Sequence, residues 1–282
     1  MFVIKTYQNH PYSPYQPAAG IVGLRAYIRP SLSVNGDNMA SITNSRIESI
    51  SNGIFTEDVL RNAPPARLYQ DAVLFDHAEI TSSGGLATKS GVKTGRSPKD
   101  KRVVDQASVK NDVWWGEINI PLSDSSYQSV KETAVQFLDT ADHLYVVDAF
   151  AGWDPKNQIK IRIICSRAYH ALFMHNMLIR PTKKQLQEFG EPDYVIYNAG
   201  QQSADPSIDG VTGETCVALN FDLGEMVILG TEYAGEMKKG VFTIMNYLMP
   251  KNDILSMHCS ANEGPDKKDV SLFFGLSGTG KT

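Results

Sequence analysis

One stretch narrows the choice of fold more than any other. At Asp269-Val-Ser-Leu-Phe-Phe-Gly-Leu-Ser-Gly-Thr-Gly-Lys-Thr282 an apolar run of strand type feeds a turn that fills every fixed position of the G-x-x-x-x-G-K-[ST] loop. Glycines are needed there because backbone N–H groups can wrap an anion only where no Cβ holds the backbone away. The loop comprises Gly275, Leu276, Ser277, Gly278, Thr279, Gly280, Lys281 and Thr282. It predicts a nucleotide site in a P-loop α/β domain, with Lys281 on the β- and γ-phosphates and the Thr282 hydroxyl on the nucleotide's Mg²⁺. The helix expected to follow would add its N-terminal N–H groups and dipole from beyond Thr282.

The rest of the composition narrows the class. With 282 residues, 42% of them hydrophobic, the chain can bury a sizeable core of one large or two ordinary domains. A net charge of −4 gives no sign of the basic surface that nucleic acid or an anionic membrane would require. Cys165, Cys216 and Cys259 are widely spaced without a C-x-x-C pair, so neither a disulfide framework nor a zinc site is indicated. No apolar run reaches the roughly 18 to 20 residues of a membrane span, and the start lacks a secretory pattern. The expected compartment is the cytoplasm.

Residues 1–61 read as a poorly ordered N-terminal extension, rich in Pro, Ser, Asn and Gly, and Met39-Ala-Ser offers an alternative translation start. Ser49–Leu60 has mixed helical character, and Asn62–Leu68 reads as a turn. Alternation from Asp76 to Leu86 predicts a short strand. A basic loop from Thr88 to Arg102 then carries Lys89, Lys93, Arg96, Lys99, Lys101 and Arg102. Such a run can be a solvated turn, but a forked guanidinium on flexible backbone also suits a carboxylate or phosphate.

Leu144–Phe150 and Ile159–Ile164 read as strands. Ala168, Ala171, Leu172, His175, Leu178 and Ile179 form one helical stripe that ends at Arg180-Pro181, which predicts His175 as a core histidine and leaves His170 without a role. A short helix at Lys183–Phe189 and strands at Asp193–Tyr197, Thr215–Asn220 and Glu225–Leu229 follow. Val241, Ile244, Met245 and Leu248 mark a helix ended by Pro250, with Lys238 and Lys239 at its N-terminus. The macrodipole opposes cations there, which tends to lower a lysine pKa. Ile254–Asn262 reads as a strand carrying His258.

Taken together, the motifs resemble those of ATP-dependent phosphoenolpyruvate carboxykinase. The resemblance rests on Thr94-Gly-Arg-Ser-Pro-Lys-Asp-Lys101, Val147-Asp-Ala-Phe-Ala-Gly-Trp153, Tyr233-Ala-Gly-Glu-Met-Lys-Lys-Gly240, Ser256-Met-His-Cys-Ser260 and Phe273–Thr282, and runs from Asn62 to the end. It implies an α/β fold with three parts: the extension 1–61, a mixed-sheet substrate-binding domain over 62–253, and the start of a P-loop nucleotide-binding domain over 254–282.

The resemblance also implies an activity: oxaloacetate and ATP become phosphoenolpyruvate, CO₂ and ADP in gluconeogenesis, with Mg²⁺ on the nucleotide and Mn²⁺ at a second site. Decarboxylation would give an enolate whose oxygen attacks the γ-phosphoryl group, so fixed cations suit both stages. Arg96 would hold the substrate carboxylate or the leaving CO₂, and Tyr233 would pack on either. Lys239, neutral and beside Lys238, would share the metal with His258. Ser277, Lys281 and Thr282 would serve the phosphates.

The family's metal-binding aspartates, a further catalytic arginine and its base-reading residues follow the phosphate loop, so the 282-residue chain by itself is expected to be inactive. The alternatives are another P-loop small-molecule kinase and a non-catalytic carboxylate-binding fragment.

Overall fold

The computed structural model describes residues 52–54, 56, 58–266 and 269–275. Of the extension expected over residues 1–61, residues 1–51, 55 and 57 lie outside the described residues, as do Leu276–Thr282, whereas Val59–Arg61 at its end is a strand of the main sheet, held by pairing with Leu144–Val146. The described chain falls into two compact units, one ending at His258 and the other beginning at Cys259.

The first unit is built on an eight-stranded mixed sheet. Its strands are β1 (Val59–Arg61), β4 (Lys101–Val104), β5 (Ile120–Leu122), β6 (Leu144–Ala151), β7 (Ile159–Cys165), β8 (Tyr194–Ala199), β9 (Cys216–Asn220) and β10 (Glu225–Leu229), in the spatial order β1-β6-β7-β8-β10-β9-β4-β5. The hairpins β6–β7 and β9–β10 are antiparallel, in registers such as Val147↔Ile163 and Val227↔Ala218, and the other pairings are parallel. Strand β6 is buried along its whole length. A strand covered on both faces reads as a continuous apolar run, and so its sequence is legible.

Helices cover both faces. Helix α1 (Pro65–Phe75), α3 (Ala168–Met177) and α5 (Gly235–Lys251) supply Leu68, Ala72, Ala171, Met174, Met237, Val241 and Ile244 to a core that includes Tyr145, Ile161, Ile163 and Ile228. The other core joins Tyr127, Val130, Ala134 and Leu138 of α2 (Asp124–Asp139) to Val146, Ile164, Val195 and Val227. Burial of a side chain such as Ile161 or Ile163 is worth about 1.5–3 kcal/mol, so the two cores dominate the stability. Ser123 caps α2 by accepting the Ser126 N–H at 3.1 Å. The sequence reading found no element there, although the stripe Tyr127, Val130, Ala134, Leu138 has helical spacing.

Several local expectations are corrected. The Asn62–Leu68 turn is instead the entry to α1, with Pro65 in its first turn, where a missing N–H costs nothing. The strand over Asp76–Leu86 is a two-residue hairpin, β2 (Glu79–Ile80) with β3 (Leu86–Ala87). The tail of the basic loop, Lys101-Arg102, belongs to β4. In α3 the buried histidine is His170 and His175 is half-buried, because the first turns of this helix are enclosed on all sides and periodicity cannot choose between them. Pro250 lies inside α5, which runs on to Lys251. A short helix, α4 (Lys183–Gln187), carries a capping box between Thr182 and Gln185.

The second unit contains an antiparallel hairpin of β11 (Cys259–Glu263) and β12 (Val270–Phe274), with Ala261 opposite Leu272. The strand expected over Ile254–Asn262 thus begins at Cys259, and His258 precedes it. Among the described residues no helix is long and apolar enough to cross a membrane.

Candidate functional site

The predicted residues of the first unit converge at the start of α5. Tyr233 sits just before the helix, and its ring lies where a Cβ on Gly235 would stand, 2.4 Å from the ring's Cε1. Only glycine leaves room for that ring. One helical turn on, Lys239 turns its Nζ to 3.2 Å from His258 Nε2, with the Phe242 ring 5.2 Å from the same Nζ. Gly240 lets the helix approach β10, since a Cβ there would meet Met226 Sδ at 2.0 Å.

The Arg96 loop is brought to this helix from far away in sequence. Arg96 is exposed, while Ser97 is buried and donates its backbone N–H to Glu236 Oε1 at 2.6 Å. Burial pushes the Glu236 carboxyl up, against the Ser97 N–H and the cationic Arg96 and Lys101, which favour its ionised form. Lys101 is pushed down by its own burial, opposed by Glu236, and donates to Thr243 Oγ1 at 3.1 Å. Arg102 anchors the base of the loop: its guanidinium donates to Gly210 O, Lys99 O, Lys101 O and Thr212 Oγ1.

A second network fixes the segment before Tyr233. Glu232 O accepts from Tyr169 OH and from His170 Nε2, the latter at 2.8 Å, and the Glu232 carboxylate is paired with Arg167. Arg167 also reaches Lys89 O, Thr88 Oγ1 and Asp76. A carbonyl can only accept, so His170 carries its proton on Nε2, and Nδ1 accepts from Asn198 Nδ2 at 3.3 Å. Asn198 Oδ1 is taken by Gly200 N–H, which fixes the amide's orientation. Enclosed in this way, at 1% exposure, His170 is neutral, its pKa lowered to about 3 chiefly by burial. A cleft of about 400 Å³ lies alongside, lined in part by Lys93, Asp100, Gln201, Glu214 and Glu232.

Of the residues singled out by sequence, Arg96, Tyr233, Lys238, Lys239 and His258 belong to the first unit, and Gly275 follows β12 in the second. Leu276, Ser277, Gly278, Thr279, Gly280, Lys281 and Thr282 lie outside the described residues. Among the described residues no group of three His, Cys, Asp or Glu side chains could hold a metal. The Lys239–His258 pair offers two nitrogen donors at one point, a donor set that fits part of a transition-metal shell once the lysine is neutral. The sequence reading missed Glu236, Arg167, Glu232 and His170. Glu236 stands inside a quoted motif, whereas Arg167 carried no local signal.

The sequence model of the phosphoenolpyruvate carboxykinase family matches residues 57–282. The chain belongs to this family. It is 60% identical over 231 residues to phosphoenolpyruvate carboxykinase (ATP) 2 of Salinibacter ruber, covering 82% of this chain and 43% of that protein. To phosphoenolpyruvate carboxykinase (ATP) of Eremothecium gossypii it is 57% identical over 234 residues, 83% of this chain and 43% of the relative. The Saccharomyces cerevisiae protein of the same name is 55% identical over 225 residues, with 79% and 41% covered. The chain therefore spans about two fifths of the length of these relatives. Such matches do not favour a kinase that shares only a phosphate loop.

Proposed function

We propose that the protein containing this chain is an ATP-dependent phosphoenolpyruvate carboxykinase, a carboxy-lyase of gluconeogenesis acting in the cytoplasm. Residues 62–253 would form its substrate-binding domain and 254–282 the start of a P-loop nucleotide-binding domain. The observation that carries the reading is the convergence at α5: the Arg96 loop, bound through Ser97 to Glu236, and the Lys239–His258 pair at 3.2 Å meet on one helix start.

In this reading Arg96 binds a carboxylate of oxaloacetate with its two-bond fork and holds the CO₂ that leaves when the bond to that carboxylate breaks. Tyr233 packs against the substrate and limits water. The enolate oxygen then takes the γ-phosphoryl group of ATP, releasing ADP, and the negative charge that builds up falls near Lys238 and Lys239. The Lys239 and His258 nitrogens would hold Mn²⁺, which would supply charge neutralisation there, while Ser277, Lys281 and Thr282 would serve the phosphates and the Thr282 hydroxyl would take one position on the nucleotide's Mg²⁺. Lys239 must be neutral to serve as a ligand in this reading.

The test is release of CO₂ from oxaloacetate by the full-length protein in the presence of ATP, Mg²⁺ and Mn²⁺. Stoichiometric CO₂ and phosphoenolpyruvate support the assignment. ATP hydrolysis without CO₂ release overturns it.

A further inference from the structure

A buried carboxylate without an assigned task joins the two halves of the candidate site. Glu236 is 7% exposed, occupies the first turn of α5, and stands one turn before Lys239 on the same helix. Its Oε1 accepts the Ser97 N–H at 2.6 Å across 139 positions of sequence. The residues preceding that contact, Gly91, Val92, Thr94, Gly95 and Arg96, are exposed. Bonds within the loop, Lys93 to Asp100 at 2.7 Å and Asp100 N–H to Ser97 O at 3.0 Å, shape it without tying it to the helix. A cavity of about 30 Å³, lined in part by Glu236, Lys101, Lys239 and Thr243, lies beside the carboxylate.

From this geometry we propose that Glu236 is a positioning residue: it clamps the Arg96 loop onto the lysine helix, and so sets where the guanidinium stands relative to Lys239. The inference rests on the proposed function, because it concerns how the carboxylate of that substrate is met. A carboxylate is the suitable acceptor for two reasons. The first turn of a helix favours a negative group, and a charge-assisted bond to a backbone N–H is about twice as strong as a neutral one. The bond also goes to the residue next to Arg96, so a small displacement there reaches the guanidinium at once.

The experiment compares E236A, E236Q and R96K in the full-length protein, with oxalate as a dianionic mimic of the enolate. E236A is expected to weaken oxalate inhibition by about tenfold or more, the usual weight of a hydrogen bond to a charged group, with the KM for ATP within about twofold. E236Q keeps an acceptor for Ser97 and should recover most of the affinity. In the R96K background E236A should add less than about twofold, because a clamp acts through the residue it places. If E236A does not fold, E236D serves: its charge is kept but its shorter reach misses Ser97, and oxalate binding should still weaken. Unchanged oxalate inhibition, an equal loss for oxalate and ATP, or effects additive with R96K each overturn the clamp. Oxalate inhibition that depends on Arg96 but ignores Glu236 sinks this inference alone. Absence of any Arg96-dependent oxalate inhibition sinks the proposed function as well.

Discussion

Arg96 and Arg102 belong to one basic run and meet opposite surroundings. Arg96 is exposed at the tip of its loop, whereas Arg102 is 2% exposed on β4 with its guanidinium spent on carbonyls of Lys99, Lys101 and Gly210 and on Thr212. The same contrast holds deeper in the sheet, where Arg162 grips Asp148 through two bonds of 2.8 and 3.0 Å and Arg61 reaches the same carboxylate. A buried guanidinium must have its donors answered, so it holds the fold together. An exposed one keeps its fork for a ligand. In the proposed function, charge in this molecule therefore divides into a structural and a chemical population that sequence alone presents as one run.

The division is sharpest at the lysine helix, where the largest effect is expected. Lys239→Arg should weaken Mn²⁺ binding by more than about 100-fold, since a guanidinium stays protonated and has no lone pair to give. Water-proton relaxation reads that loss directly, and unchanged Mn²⁺ affinity would break the metal assignment.

Next comes Arg96→Lys, which keeps the charge and loses the fork. It should lower kcat/KM for oxaloacetate by about 100-fold while leaving the KM for ATP and the denaturation midpoint in place. Near-normal oxaloacetate kinetics would move Arg96 into the structural population.

Arg102→Met probes the other side of the contrast. Stability should fall by about 2–4 kcal/mol, because carbonyls buried around it lose their donor. Urea unfolding measures the loss, and a folded variant with less than about threefold change in the KM for oxaloacetate is the expected result. A stable but inactive variant would show that Arg102 belongs with Arg96.

The last effect is one of pH and is felt only in acid. His170 has a folded-state pKa near 3, below the ordinary imidazole value of 6.5, so the unfolded chain binds more protons between these limits. Its contribution to stability is complete above about pH 6.5 and declines as pH falls toward 3. Replacement by Gln, which can still donate to Glu232 O, should flatten that part of the stability profile. An unaltered slope would mean that other groups, such as Asp76 and its partners, govern acid unfolding.

Much of the sheet was legible because its strands are apolar on both faces or paired by short hairpins. The sequence determined β6, β7, β8 and the β9–β10 hairpin, the helix carrying Lys238 and Lys239, the Arg96 loop and the family resemblance, since all of these rest on local runs and fixed spacings. It could not choose His170 over His175, because a helix whose first turns are enclosed on all sides shows no solvent face there to set its phase. Nor could it find the clamp from Glu236 to Ser97, the Arg167 network or the Lys239–His258 contact, which join residues from separate elements. Only the tertiary structure decides such pairings. A hydrogen bond between remote positions is fixed by how the sheet and its covering helices pack, and no local pattern in the chain records it.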